Sequence, residues 1–379
     1  IGLIHVVPLD FARSAAESTL AARLGEPVSV SSAQGALFPP HLTLHGLKIG
    51  ADGALTAERA SLPGLTGLLG NVGELKRFRI ENVRVSEAGV QKLAKWNAGG
   101  SGAALPVEAV ELRNVTLALP EVSVPAFDGE LVMASDGKVQ RIDLTSADGR
   151  ISGQIALAGG ALKIQATAQS WQLPLGAPLT FDNLQLKATA TPGRLEVEQF
   201  DGLLFGGRTV GKGIITWGNG WALAGDAELT AVNVEGLLKA YLNAAPVAGS
   251  LRTKLTLATR GDSLKGMFAA PEVGGDFLIE RGALNSVDLS KALRAGSREG
   301  SRGQTKFQDL AGKMALAQNR YTFTDLKLGA GLLSATGTVE AAPDQALSGR
   351  LYVEISSAAT PLRGTLTVSG TAAEPVVQR

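Results

Sequence analysis

The sequence predicts a mainly β chain: a long, curved antiparallel sheet that forms an elongated apolar groove, with a few short helices including one near the N-terminus. Three observations lead there. Beyond residue 25, apolar residues recur with a period near 2 along most of the chain, the pattern of strands with one apolar and one wet face. Turn dipeptides fall between these runs at hairpin spacing. The apolar positions are filled by aliphatic side chains: of 379 residues, 45% are hydrophobic but only 5% aromatic.

The elements follow in order. Ile1 to Val7 is apolar but far short of the about 20 residues that a bilayer span needs. It reads either as a first strand or as the last turns of a membrane span whose beginning is missing. Asp10 then caps a helix running through Leu24, with Phe11, Ala15, Leu20 and Leu24 near one face and Gly25 and Pro27 as stop signals. Alternating runs follow, such as His41-Leu-Thr-Leu, Phe78-Arg-Ile, Leu184-Gln-Leu-Lys, Leu251-Arg-Thr-Lys-Leu-Thr-Leu and Leu351-Tyr-Val-Glu-Ile. Turns are expected at Asp52-Gly53, Asp136-Gly137, Asp148-Gly149, Gly159-Gly160, Pro192-Gly193, Asn219-Gly220 and Asn319-Arg320. Short helices are expected at Ser86 to Trp96, Asn233 to Leu242 and Asp288 to Arg294, and Ala98 to Ala104 is the clearest linker.

A weak repeat runs through the strands. The pattern apolar-x-(Gly/Asn/Asp)-apolar-x-apolar begins at Leu44, Ile80, Leu112, Phe181, Phe200 and Phe323. Its small central residue breaks the alternation by one, as a β-bulge does when it bends a strand and re-aims the next half. The spacing is too irregular for a solenoid or a propeller.

Composition closes off several chemistries. There is no cysteine, so disulfides, thiolate catalysis and Cys-ligated metals are excluded. The three histidines are His5, His41 and His45; the last two, four apart on a strand, stand roughly 13 Å from one another, too far to share an ion. Lys and Arg number 36 against 35 Asp and Glu, which gives no basic footprint for nucleic acid. Gly206 to Lys212 matches GxxxxGK, but Gly213 replaces the Ser/Thr of a phosphate loop and a strand follows where a helix is needed, so it reads as a glycine-rich hairpin. Asn114-Val-Thr116 is a glycosylation pattern lying inside a strand, and Arg294 to Lys306 is a basic loop. No motif for an enzyme, cofactor or metal is present.

A mean hydropathy of +0.13 without a membrane span leaves apolar surface to account for. A smooth aliphatic face suits disordered alkyl chains. Strand phase names its candidate lining: Leu42, Leu44, Ile80, Val115, Leu117, Leu184, Leu186, Leu203, Leu326 and Leu328.

Several stretches look like a known family. Gly275-Asp-Phe-Leu-Ile-Glu-Arg-Gly282-Ala-Leu-Asn-Ser-Val-Asp288-Leu289-Ser-Lys-Ala-Leu293, followed by Gly303-Gln-Thr305-Lys-Phe307-Gln-Asp-Leu310-Ala-Gly312, matches a strand, a turn, a short Val-Asp-Leu helix and a Gly-x-Thr-x-Phe strand. Pro8-Leu-Asp10, Leu24-Gly25-Glu-Pro-Val28, Phe38-Pro-Pro-His-Leu42 and Gly364 to Val376 fit as well. On these residues the chain resembles the AsmA-like family of bacterial envelope proteins, the AsmA/TamB type of repeating β-groove protein. The resemblance implies a periplasmic groove anchored in the bacterial inner membrane by one N-terminal span, here missing, which shields phospholipid acyl chains and contributes to outer-membrane lipid homeostasis. It carries no catalytic residues. The implied partners are phospholipids, the inner membrane and other envelope proteins. The other reading is a structural or assembly component of an envelope or secretion complex that pairs through strand edges. Three segments are expected: an N-terminal module over 1–100, a middle β segment over 101–245 and a C-terminal β segment over 246–379.

Overall fold

The computed structural model describes residues 6–37, 40–63, 77–98, 107–119, 122–135, 138–158, 160–174, 176, 178–294, 302–357 and 360–379. The chain is mainly β, 65% strand. It divides into two compact units, Ile1–Ala168 with Leu186–Pro192, and Gln169–Gln185 with Gly193–Arg379. The expected boundary near 100 falls outside the described residues, and the one near 245 lies within the second unit.

Unit 1 opens with β1 (Val6–Pro8), α1 (Asp10–Leu24), β2 (Val28–Ser29), β3 (Ser32–Leu37), β4 (Pro40–Ile49) and β5 (Leu55–Pro63). It continues with β6 (Arg77–Ser86), α2 (Glu87–Ala98), β7 (Ala109–Ala118), β8 (Phe127–Met133), β9 (Val139–Ser146), β10 (Ile151–Ala158) and β11 (Ala161–Gln172), whose last residues pass into unit 2. β12 (Thr180–Thr191) is divided between the units. The unit 1 sheet is antiparallel except at β6–β7, which pair in parallel with α2 between them. A wholly antiparallel sheet was the expectation. A parallel pair needs a crossover longer than a hairpin turn, and the Ser86-capped helix with its linker supplies one.

Unit 2 is a meander. It runs β13 (Arg194–Leu204), β14 (Gly207–Thr216), β15 (Trp221–Asn233), α3 (Val234–Leu242), β16 (Val247–Gly261), β17 (Glu272–Leu284) and α4 (Leu289–Arg294). It ends with β18 (Thr305–Ala317), β19 (Arg320–Ala330), β20 (Leu333–Ala341), β21 (Leu347–Ile355), β22 (Leu362–Gly370) and β23 (Pro375–Gln378). Each strand from β13 to β23 pairs antiparallel with the next. In neither unit does the sheet close into a barrel. Among the described residues no helix is long and apolar enough to cross a membrane, and the described part of the first apolar segment is the strand β1.

The helices start where local chemistry directs. The Ser86 hydroxyl accepts from the Gly89 amide, the Asn233 side chain from Gly236, and the Asp288 carboxylate from Lys291. α1 departs from expectation at its start: Asp10 is its first helical residue, Leu9 holds the cap position, and no side chain caps it. Its packed face is also different, because Ala12, Ala16, Leu20 and Leu24, four residues apart, face the sheet while Phe11 is 60% exposed.

Bulges re-aim the strands at most of the repeats. Gly46, Asn82, Asn114 and Asp325 occupy the left-handed region. The Asn82 and Asn114 bulges stand side by side on β6 and β7, the Asn114 side-chain Nδ2 donating to Asn82 Oδ1 at 2.7 Å while the Asn114 backbone amide donates to Asp128 at 2.9 Å. That amide bond, followed by the Arg113 side chain, holds the Asp128 carboxyl below the usual range.

Candidate functional site

Strand register sorts each sheet into an apolar and a charged face. In unit 1, Ala33, Leu44, Ala60, Ile80, Leu112, Gly129, Leu144, Gly153 and Ala166 are successive partners from β3 to β11. In unit 2, Phe200, Gly211, Ala227, Leu255, Gly275, Met314, Phe323, Val339 and Gly349 form a matching row from β13 to β21, and every one of them is half-buried. The opposite face carries charges. Lys254 lies between Glu228 and Asp276 on its neighbours and approaches Glu228 at 3.5 Å. In unit 1, Arg79, Glu111, Arg113 and Asp128 form a run of ion pairs in which the Arg79 and Arg113 guanidiniums hold the Glu111 carboxyl below its usual range.

Helices cover part of each apolar face. In unit 1, α1 and α2 lie over a core containing Leu42, Leu44, Leu47, Val83, Val85 and Val115, with Trp96 of α2 packed against it. In unit 2, connections of a meander alternate between strand ends, so α3, after β15, and α4, after β17, enter at the same end. There Leu289 and Leu293 of α4 are fully buried with Val353 and Leu366, and Val234 of α3 joins them. At the other end of the same face the single turn Gly266–Phe268, between β16 and β17, lies on β16, with Met267 fully buried and its carbonyl accepting from the Thr259 hydroxyl, and between the two ends Leu195, Val197, Ile215, Leu223, Leu255 and Leu257 are half-buried. In β8–β11 of unit 1, Phe127 belongs to the core and Leu131, Leu144 and Ile151 pack against it, while Ile155, Leu157 and Ile164 farther along are half-buried.

No family model, curated protein or solved structure matches this chain. The site therefore rests on its own geometry.

The ten residues named from strand phase divide into three groups. Leu42, Leu44 and Val115 are buried in the unit 1 core, and Ile80 and Leu117 pack against it. In unit 2, Leu184 and Leu328 are buried, the latter in the core beneath α4. Leu326 is half-buried on the apolar face beside Gly312, and Leu186 is half-buried in β12. Leu203 is turned the other way, 37% exposed, while Gly202 and Leu204 on either side are buried. The cause is register: β13 bulges between Val197 and Phe200, ahead of the Gly202 position that the repeat suggested, so alternation from Phe200 onward places Leu203 on the charged face.

The half-buried aliphatics between the covered strand ends were missed. Their signal was topological: rows between the inserted helices and turns are only half-buried. The glycine-rich segment after Gly206 is a hairpin and strand as expected, and Gly211 and Gly213 of β14 face Ala227 and Gly225 of β15 as a low floor between taller side chains of β13 and β16. Aromatics gather on the neighbouring strands. Phe323 meets Phe277 edge to face at 6.1 Å and stacks with Tyr321 at 6.4 Å. Tyr241 of α3 interacts with Tyr321, and loss of hydration pushes its phenol up to about 12.

His41 and His45 sit on β4 opposite Pro63 and Arg59, and no cluster of metal-ligating side chains occurs among the described residues. Two hollows lie elsewhere. One of about 260 Å³ is lined by Asn233, Glu235, Glu280 and Arg281 beside bulges of β15–β17, and one of about 450 Å³ by Arg84, Leu117 and Val124.

Proposed function

We propose that this chain is a non-enzymatic lipid carrier of the AsmA-like type, which shields phospholipid acyl chains along the half-buried rows of its apolar sheet faces. The observation that supports it is the unbroken half-buried row from Phe200 to Gly349, apolar at every position, with charges on the other face. Each CH₂ removed from water contributes about 0.8 kcal/mol. An alkyl chain of about 16 carbons therefore gains on the order of 10 kcal/mol from such a lining. The periplasm is the proposed location, with attachment to the inner membrane through a preceding segment and lipid exchange with the outer membrane.

Purified full-length chain extracted into organic solvent should release phospholipid at close to a stoichiometric amount by mass spectrometry. Leu257→Asp and Leu223→Asp should reduce that yield several-fold while leaving the circular dichroism unchanged. A lipid-free protein that takes up no fluorescent fatty acid would overturn the reading.

A further inference from the structure

The charged face of unit 1 contains a row without an acid. Elsewhere on β5–β9 the arginines meet carboxylates: Arg59 stands opposite Glu81 and Arg79 opposite Glu111, and Arg77, Arg113 and Arg141 hold ion pairs as well. The exceptional row runs Ser29, Lys48, Thr56, Arg84 and Thr116, successive partners on β2, β4, β5, β6 and β7. Lys48 and Arg84 are exposed, two strands or about 10 Å apart, and neither has an ion-pair partner among the described residues. The carboxylates of Glu58 on β5 and Asp52 in the turn before it are engaged by Asn82 and Lys92.

This row ends at the larger of the two hollows. β8 pairs with β7 only as far as Val115, and past that point the chain at 122–124 and the end of β7 enclose about 450 Å³ with Arg84 at the rim. That is the size of a small-molecule pocket. Its lining passes from one face of the sheet to the other: Arg84 and Thr116 belong to the charged face, whereas Leu117 and Val124 pack against the unit 1 core. Leu119 and Val122 extend the apolar part. The Thr116 hydroxyl already donates to the Val83 carbonyl at 3.3 Å, which leaves the Arg84 guanidinium as the strong donor facing a ligand. One unpaired cation at the mouth of an aliphatic hollow is complementary to one anionic group on an alkyl body, and Lys48 adds to the positive field along the approach.

We propose that this hollow binds a single-chain anionic amphiphile, with its carboxylate on Arg84 and its alkyl chain against Leu117, Leu119 and Val122. A planar guanidinium accepts one carboxylate through two parallel hydrogen bonds and neutralises it. The site is separate from the half-buried rows on which the carrier reading rests and needs no part of them.

Full-length chain should be photolabelled within residues 116–124 by dodecanoate carrying a diazirine on its alkyl chain, with the label mapped by peptide mass spectrometry. Arg84→Gln should lower that labelling at least about fivefold, because the head loses its charged partner. Replacing the carboxylate of the probe by a hydroxyl should do the same. Ser123→Trp, which introduces a large ring from an exposed position of the lining, should also lower it, with circular dichroism and thermal midpoint close to those of the parent chain. Acetate, the head alone, should not compete where unlabelled dodecanoate does. Absence of label at 116–124, equal labelling of a folded Arg84→Gln protein, or equal labelling by the alcohol probe overturns the proposal. Labels confined to β13–β16 remove this inference and leave the carrier reading standing. Labels at 116–124 that persist in Leu257→Asp, on a chain that releases no phospholipid, do the reverse.

Discussion

The two units cover sheets of similar composition in different directions. In unit 1 cover changes from strand to strand: the core beneath α1 and α2 reaches Phe127 of β8, and Ile155, Leu157 and Ile164 of β10 and β11 are left half-buried. In unit 2 cover sits at the strand ends: α3 lies on β15 and β16 and α4 on β21–β23 at one end, the turn Gly266–Phe268 lies on β15 and β16 at the other, and the rows between are half-buried. An alternating aliphatic strand is therefore neither core nor lining by itself. The point at which the chain inserts a helix decides, because a one-layer sheet buries its apolar side only where something lies on it.

The sharpest way to break this comparison is to truncate one side chain on each side of the boundary in unit 2. Leu293→Ala, fully buried between α4 and the sheet, should cost about 2–5 kcal/mol in chemical denaturation, since it removes contacts and leaves a cavity. Leu257→Ala, half-buried, should cost about 1 kcal/mol or less, in proportion to the smaller area it covers. Equal losses would mean that the outer rows are core after all.

Glycines on the apolar faces give an intermediate effect with opposite signs. A methyl group on Gly211 would run into the Asp226 carbonyl and the Phe200 ring, so Gly211→Ala should lose about 1–3 kcal/mol. On Gly153 of unit 1 the nearest atom would be the Gln165 carbonyl oxygen at 3.6 Å, an ordinary contact, and its φ is not positive. Gly153→Ala should therefore raise the thermal midpoint slightly, by about 0.4–1 kcal/mol of stability, through the unfolded chain.

The smallest effect is electrostatic. Desolvation and Tyr321 hold the Tyr241 phenol at about 12 in the folded chain, above the about 10 of an unfolded one. Between those values the folded state keeps a proton that the unfolded state has lost, so stability is intact below pH about 10 and falls as pH rises toward 12. Denaturant titrations from pH 9 to 11 should show that decline, and Tyr241→Phe should flatten it. An unchanged slope would mean that α3 leaves this ring in water.

Much of the fold was legible in the residues. The caps at Ser86, Asn233 and Asp288, the stop at Gly25 and the turns at Asp52-Gly53, Asp148-Gly149, Pro192-Gly193 and Asn219-Gly220 act locally, and local chemistry is what a sequence displays. The expected turn at Asp136-Gly137 lies outside the described residues, as does most of the linker from Ala98 to Ala104. The repeat located bulges at Gly46, Asn82, Asn114 and Asp325, but at Phe200 the extra residue lies earlier and Leu203 changed face. A strand of Leu195-Glu-Val-Glu followed by Phe200 admits a bulge at either place, and only pairing with β14 chooses. The candidate lining was less legible. Phase identifies the apolar face, yet Leu44 and Leu257 occupy equivalent phases, and only the helix lying over the first separates them.

The parallel pair β6–β7 carries a kinetic consequence. Within unit 2, β13 and β14 meet at once, Leu204 beside Gly207, and the strands after them can be added one hairpin at a time. In unit 1 β7 can pair first with β8, but Asn82 and Asn114, 32 positions apart, must come together across α2 before the strands on the two sides of the crossover join. Closing that long loop costs chain entropy before any pairing repays it. Refolding of unit 1 should therefore wait on a single crossover event, while unit 2 can begin at any of several turns.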